Sequence, residues 1–450
     1  MDHEAVIVAP DGNGSLARYA RALCESTDAP HVVVNGCSGG FGHPLLSRYS
    51  LRCAAADAAL VRGLRSVDAP LLHLTSHHLA RYGPFIHRPY VVTVHDLMRY
   101  RDWKERGTRP PLIHEPNLRD SLHLRLDAAG LREAAALIAV SEHTKRELIH
   151  LLDVPEHRVH VVHEGVDGRA FRRVAEHLLP EPYLLYVGSE QPRKNLGTLF
   201  RAFVPLRELW PQLRLVKVGA PGGPEGPFRQ MTLDDAGRTG ALPHVVFADH
   251  VSHEQLVAWY SGAICLVQPS RHEGFGLPLL EAMACGCPVV TSSAGALPEV
   301  LGEAGIVYGR PDDFDSLARE LSRLISSAAE RRQLARAGLA RAAEMTWERT
   351  ARLTREVWRA VLGDASRDPA ARLPAWRRDG PSASPAPSHS VARPVGRQAA
   401  ERASGVSGSM TYVSRAPLVQ SRRWERTFTT VPLGSRSMKR RTPHSSSRKG

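Results

Sequence analysis

The chain has 450 residues, of which 42% are apolar and 23% are charged. This is ordinary globular usage, so collagen-like, coiled-coil and wholly disordered chains are excluded, and the length predicts two or three domains. The formal net charge is +13, but 17 Lys and Arg against 5 Asp and Glu over residues 364–450 account for +12 of it. The rest of the chain is close to neutral, so no nucleic-acid partner is expected for its folded part.

Short apolar runs alternate with helical patterns over residues 1–345, which predicts parallel strands joined by crossover helices. In the first half the predicted strands are 5–9, 31–35, 71–74, 90–94, 137–140 and 159–162. In the second half they are 183–187, 213–218, 245–247, 264–268, 288–291 and 306–308. The fold class is therefore α/β, with two similar Rossmann-like domains that face each other across one cleft.

A boundary between the two domains is predicted where the strand pattern stops. Residues 165–182 contain no strand and end in a turn bracketed by prolines, so we assign residues 1–170 to the first domain and 171–345 to the second. Residues 346–363 form a predicted helix that returns to the first domain. Residues 364–450 are rich in Pro, Ser, Gly and Arg, without apolar periodicity, and are expected to be disordered.

Two carboxylates stand out in the segment 270–290, SRHEGFGLPLLEAMACGCPVV. Glu273 precedes a predicted helix that starts near Leu277, and Glu281 lies in its second turn. Gly274 and Gly276 are expected to keep this loop open, so that N–H groups at the helix start can approach a phosphate. The alternative is structural, with one Glu supporting the helix start and the other on a solvated face. For Glu281 it is weak, because an unpaired carboxylate in an apolar helix is costly.

Paired cations follow the first strand of the second half, in LYVGSEQPRKNLGTL. Arg193 and Lys194 lie where a ligand of a parallel sheet would sit. A departing nucleoside diphosphate gathers negative charge, which a divalent metal or fixed cations must stabilise. The two side chains could supply that charge, although a solvated pair before a helix remains open.

The sequence EGFGLPLLEAMACGCPVV, preceded by YVGSEQPRKNL, resembles the large family of retaining, metal-independent glycosyltransferases of GT-B fold known as family 4. Shorter matches are GSLARY from Gly14, VHDL from Val94, the run Ala139 to Thr144, and EGVD from Glu164. The resemblance covers roughly residues 5–360. It departs from the usual pattern at Ser15, where a second glycine is common, and at Ser189, where many members have Arg.

The resemblance implies a role for each matched residue. Glu273 would approach the donor sugar, Glu281 would bind the ribose hydroxyls, and Arg193 with Lys194 would neutralise the diphosphate. His95 would lie near the transferred sugar, and Gly14 would line the donor site. The resemblance also implies a nucleotide-sugar donor, with GDP-mannose favoured, a saccharide or lipid-linked acceptor, and no metal or other cofactor.

Residues 12–17 also fit the G-x-G-x-x-A loop of NAD(P)-dependent oxidoreductases, which is the alternative function. The acidic residue expected after the second strand is absent, since Asn35 stands there. Metal sites are not indicated either. There is no C-x-x-C pair, Asp313 and Asp315 read as helix capping, and neither His160 with His163 nor His77 with His78 has an acidic partner in the sequence.

The chain shows no apolar run of the roughly 18 residues that a membrane span requires, and its start lacks the pattern of a secretory leader, so a cytoplasmic protein is expected. The basic segment 364–450 predicts peripheral attraction to an anionic membrane surface. A segment without any function is equally consistent with its composition.

Overall fold

The computed structural model describes residues 4–12, 14–34, 48–107, 111–113, 117–222 and 228–367. All of them belong to one compact unit, Met1–Arg378. The basic segment beyond residue 367, for which disorder and membrane attraction are predicted, lies outside the described residues.

Two six-stranded sheets form the two halves of this unit. The strands are β1 (Val6–Pro10), β2 (His31–Val34), β3 (Leu72–Leu74), β4 (Tyr90–Val94), β5 (Ala136–Ala139), β6 (Val159–Val161), β7 (Tyr183–Val187), β8 (Arg214–Val218), β9 (Val245–Ala248), β10 (Cys265–Gln268), β11 (Val289–Thr291) and β12 (Ile306–Val307). All twelve predicted strands are present, and their ends differ from the predicted ones by at most one residue.

The strand order is β2-β1-β3-β4-β5-β6 in the first sheet and β12-β11-β10-β7-β8-β9 in the second. Every pairing is parallel. Central strands such as β4 (YVVTV) and β7 (YLLYV) are buried along their whole length, because helices cover both faces of a parallel sheet. The carboxyl ends of β4, β7 and β10 therefore carry the loops on which the site is built.

The helices that cover the sheets are α1 (Ser15–Thr27), α2 (Arg48–Ser66), α3 (Met98–Lys104), α4 (Leu118–Glu133), α5 (Glu142–Leu152), α6 (Leu196–Leu209), α7 (Phe228–Thr239), α8 (His253–Gly262), α9 (Leu277–Ala284), α10 (Leu297–Leu301), α11 (Phe314–Ser326), α12 (Ala328–Glu344) and α13 (Trp347–Arg367). Short 3-10 turns span His77–Phe85, Glu156–Arg158, Pro192–Lys194 and Leu242–His244. No helix within the described ranges is long and apolar enough to cross a membrane.

Helix α13 returns to the first domain and packs against α1, with Trp358 and Val361 in one apolar cluster with Ile7 and Tyr19. The predicted range 346–363 is too short at its end, since α13 continues to Arg367. The four further residues contain no proline and extend an amphipathic helix, so nothing in their chemistry stops it earlier.

The chain passes between the two domains at two adjacent places. After β6, the N–H of Val166 donates to the carbonyl of Met345 at 3.0 Å, just before α13 begins. A Cβ at Gly165 would lie 2.3 Å from the backbone nitrogen of Trp347. Because no side chain fits there, the outgoing and returning segments cross in direct backbone contact.

Candidate active site

Glu273 lies on the loop between β10 and α9 and is almost fully buried. Its Oε1 accepts hydrogen bonds from Lys194 Nζ at 2.6 Å and Ser270 Oγ at 2.6 Å, and its Oε2 accepts one from Arg193 Nη1 at 3.1 Å. Burial alone would raise the pKa of Glu273, but the charges of Lys194 and Arg193 lower it to about 2. The carboxylate is therefore ionised at neutral pH.

Arg193 and Lys194 occupy the 3-10 turn that follows β7. The next residue, Asn195, adopts a left-handed conformation with φ of 60°, and its amide donates to the carbonyls of Pro269 and Pro311 at 3.0 and 2.8 Å. These bonds fix the turn to the loop that carries Glu273. The two cationic side chains are only 13% and 10% exposed, so the alternative of a solvated charge pair is wrong.

Glu281 faces the cleft from α9 and is buried. It accepts a hydrogen bond from the Tyr260 hydroxyl at 2.9 Å, and Arg18 of the first domain reaches it at 3.5 Å. Burial raises the pKa of Glu281, and Arg18 and Tyr260 offset only part of that effect. The carboxylate is thus paired rather than solvated, and Arg18, which is half exposed, leaves one side of the pair open to a ligand.

The three predicted glycines have different roles. Gly276 starts α9 with φ of 119°, a conformation that favours glycine. A Cβ at Gly274 would lie 1.7 Å from the carbonyl oxygen of His95, so this glycine allows the two domains to touch, and its predicted role in the approach of a phosphate stays a prediction. Around Gly14, at the start of α1, an added Cβ would meet nothing within 4 Å, which leaves room beside that backbone.

His95 follows β4 and is held at both ring nitrogens. Nδ1 lies 2.8 Å from a Glu164 carboxylate oxygen, and Nε2 lies 3.0 Å from the carbonyl oxygen of Thr75. Both partners offer acceptor oxygens, and the imidazolium, with both nitrogens protonated, satisfies both of them. Burial lowers the pKa of His95, but the Glu164 carboxylate outweighs it and the net shift is upward.

The predicted residues of both domains therefore meet at one cleft. The Arg18–Glu281 pair joins α1, which begins beside Gly14, to α9. The backbone of His95 touches Gly274, and Ser141 Oγ donates to the Gly274 carbonyl at 2.7 Å. One wall carries Gly14 and His95, and the other carries Arg193, Lys194, Glu273 and Glu281.

Four residues that complete the site were not predicted: Arg18, Glu164, Ser270 and Tyr260. Arg18 stands in the GSLARY segment one helical turn after Gly14, so its position on the cleft side of α1 could have been inferred. Glu164 directly precedes the interdomain crossing. Tyr260 pairs with Glu281 from 21 residues away, and no local pattern indicates that pair.

Two of the side chains rejected as metal ligands have other partners. Asp313 caps α11, since its carboxylate accepts from the Ser316 N–H at 2.9 Å, as predicted. His163 pairs with Glu299 at 2.6 Å across the domain interface. Cys285 and Cys287 are both buried and free.

Comparison with known proteins agrees with this geometry. The sequence profile described as Glycosyl transferases group 1 matches residues 168–341, and that described as Glycosyltransferase Family 4 matches residues 1–169. O-antigen chain mannosyltransferase B of Escherichia coli is 30% identical over 285 residues, which cover 59% of this chain and 70% of that protein. The chain belongs to the group 1 glycosyltransferases.

Two further likenesses set the scale of the resemblance. D-inositol 3-phosphate glycosyltransferase of Nocardioides sp. is 36% identical over 248 residues, which is 50% of this chain and 54% of that protein. Sucrose-phosphate synthase of Thermosynechococcus elongatus superposes with a TM-score of 0.64 at 24% identity, over 80% of this chain and 99% of that one. The superposition shows the GT-B fold of two Rossmann-like domains, and the family makes the protein a glycosyltransferase.

Proposed function

We propose that this glycosyltransferase transfers a hexose, with mannose favoured, from a nucleotide sugar to a saccharide or lipid-linked acceptor with retention at the anomeric carbon. The observation that carries the proposal is the buried cluster of Glu273, Arg193 and Lys194 at the carboxyl ends of β7 and β10. One carboxylate and two cations carry a net charge of +1 in a water-poor pocket, which suits an anionic leaving group.

Each side chain has a task that its surroundings support. Arg193 and Lys194 stabilise the diphosphate as the bond to the sugar breaks, and Glu273 holds them in place beside the sugar. Glu281, oriented by Tyr260, accepts hydrogen bonds from the ribose hydroxyls. His95 donates both N–H groups to protein acceptors, so it contributes a fixed positive charge near the sugar rather than a transferable proton.

The preference for mannose rests on the Escherichia coli relative, which is a mannosyltransferase, and on the segment PRKN at 192–195, a variant that resembles bacterial mannosyltransferases using GDP-mannose. The experiment is a screen of the full-length protein with GDP-mannose, UDP-glucose, UDP-N-acetylglucosamine and UDP-galactose, with released nucleotide as the readout. Release from GDP-mannose at least tenfold faster than from the others supports the donor assignment. NMR of the product at the anomeric carbon then tests retention, and an inverted product would overturn it.

No metal is required if the two cations serve the leaving group. We expect turnover to survive an excess of chelator, whereas the double variant R193M/K194M loses nearly all turnover. Each contact to a charged, partly desolvated phosphate is worth about 2 kcal/mol or more, or roughly 30-fold in rate. A strict requirement for Mg²⁺ or Mn²⁺ would overturn this assignment.

A lipid-linked acceptor would place the enzyme at a membrane surface, where the basic segment 368–450 could add attraction of roughly 1 kcal/mol for each Lys or Arg near an anionic bilayer. Co-sedimentation with anionic vesicles compares the full-length protein with a truncation after Arg367, which preserves α13. We expect salt-sensitive binding that the truncation loses. Equal partitioning of the two proteins would leave the segment without this role.

A further inference from the structure

Three potential metal ligands converge at the interface between the two domains, and one of them directly precedes Glu273 in the sequence. His143 and Glu147 lie on α5 of the first domain, and His272 lies on the loop of the second domain that carries Glu273. The two histidine Nε2 atoms are 3.3 Å apart, and Glu147 Oε1 lies 2.8 Å from His272 Nε2 and 3.4 Å from His143 Nε2.

The sequence explains why these side chains meet. His143 and Glu147 are four residues apart, so they project from the same face of α5. Ser141 caps that helix and also donates to the Gly274 carbonyl at 2.7 Å. The same bond therefore holds the start of α5 against the loop that contains His272, two residues before Gly274.

We propose that His143, Glu147 and His272 bind one divalent transition metal ion of the zinc class, which joins the two domains. A tetrahedral ion with bonds of about 2.0–2.1 Å keeps its ligand atoms roughly 3.3 Å apart, by the geometry of zinc sites. The two separations from His143 Nε2, 3.3 and 3.4 Å, match this value, and the Glu147–His272 separation of 2.8 Å is shorter. Two imidazoles with one carboxylate are a ligand set that zinc accepts, with a fourth position left for water.

Both carboxylate oxygens of Glu147 are available to an ion. Glu147 Oε2 is inaccessible to solvent and has no hydrogen bond, so it can join Oε1 in the coordination. His272 Nδ1 is also buried without a hydrogen bond, but it is the ring nitrogen remote from the cluster and would not contact the ion. The His143 side chain is 20% exposed, so an ion can reach the cluster from solvent.

The ion would act on domain closure rather than on the leaving group. It contacts neither Arg193 nor Lys194, whose charges remain available. Because His272 directly precedes Glu273, an ion held by α5 would fix that loop to the first domain. Cleft opening must break this link, so we expect bound Zn²⁺ to slow any step that needs opening, such as product release.

The test is metal binding to the full-length, untagged protein after metal removal. Calorimetric titration with Zn²⁺ should give one ion per chain with micromolar or tighter affinity, and Co²⁺ should give the intense visible absorption of four-coordinate sites. H143A, E147Q and H272A should each weaken binding at least 30-fold. H163A is the matched control, because His163 pairs with Glu299 across the same interface without a third ligand, and it should bind like the wild type.

Three outcomes overturn the proposal. The first is that the wild type does not bind Zn²⁺ supplied at 100 times the protein concentration. The second is that the three ligand variants bind as tightly as the wild type, which would place the ion at other histidines among the 22 in the chain. The third is that Zn²⁺ leaves the melting temperature of the wild type unchanged, in which case the cluster is a hydrogen-bonded contact only. E147Q preserves shape, so it keeps the test valid if an alanine variant does not fold.

Discussion

The pairing of Lys194 with Glu273 makes a quantitative prediction, tested by the variants K194M, E273Q and their combination. Removing one partner of a buried ion pair costs about 3–5 kcal/mol, because the other charge is left uncompensated. Glu273 keeps Arg193 at 3.1 Å and Ser270 at 2.6 Å when Lys194 is lost. We therefore expect the lower end, about 3 kcal/mol of local stability, for K194M and a similar cost for E273Q.

The combination should cost less than the two changes added together. In the double variant the Glu273 carboxylate is absent, so the loss of Lys194 leaves no buried anion without its partner. We therefore expect a coupling energy of about 2 kcal/mol. R271M is the matched control, since Arg271 pairs with Asp312 at the surface, with 39% and 64% of the side chains exposed. Such a pair contributes at most about 1 kcal/mol.

Hydrogen exchange is the appropriate assay, because a two-domain protein need not unfold in one step. Amide exchange over Ser270–Gly276 reports the opening of the loop that carries Glu273. A coupling of about 2 kcal/mol means that the increase in exchange rate in the double variant is roughly 30-fold smaller than the product of the increases in the two single variants. Effects that multiply without coupling, or a K194M effect no larger than that of R271M, would refute the pairing.

Three further predictions concern the cleft. E273Q should lower kcat more than it raises KM for the donor. E281Q should mainly raise KM, since a ribose contact is similar in ground and transition states. Steady-state kinetics that are unchanged in both variants would show that the site lies elsewhere. G274A should weaken the domain contact sharply, because its Cβ would meet the His95 carbonyl at 1.7 Å, and a melting curve identical to the wild type would contradict this. Because the pKa of His95 is raised in the folded protein, protonated His95 stabilises the fold at pH values below its unfolded pKa near 6.5. This stabilisation is lost as the pH rises through the folded pKa, so the melting temperature should fall there, and E164Q should make that fall smaller.

The sheets could be predicted because their signal is local. A buried parallel strand is a short apolar run, and β4 and β7 are apolar and buried throughout, so periodicity and turn residues were enough. The loops at the carboxyl ends of β7 and β10 followed from the same reasoning. Residue types in those loops then indicated Arg193, Lys194 and Glu273 without any knowledge of their contacts.

The contacts themselves could not be predicted. Lys194 and Glu273 are 79 residues apart, and Arg18 and Glu281 are 263 apart and lie in different domains. Which side chains meet across the cleft depends on how the two domains are oriented, and local hydrophobic patterns contain no information on that. For the same reason, the contact of Gly274 with His95 of the other domain could not be predicted. The contact between His143 and His272 also joins the two domains and could not be predicted either.

The loop of the second domain concentrates these long-range contacts in three consecutive residues. His272 reaches α5, Glu273 holds the two cations, and Gly274 touches the backbone of His95. A strand or helix would direct neighbouring side chains to fixed, separate faces, but a loop bounded by Ser270 and the positive φ of Gly276 can turn each one to a different partner. Arg193, Lys194 and Glu273 all belong to the second domain, and Asn195 fixes their turn to this loop through the carbonyl of Pro269, so the charged cluster keeps its own contacts when the first domain moves. His272 and Gly274 add restraints on the same loop from the first domain. A change at either of these two residues should therefore loosen the loop and the domain contact together, whereas a change at Glu273 should act mainly on the charged cluster.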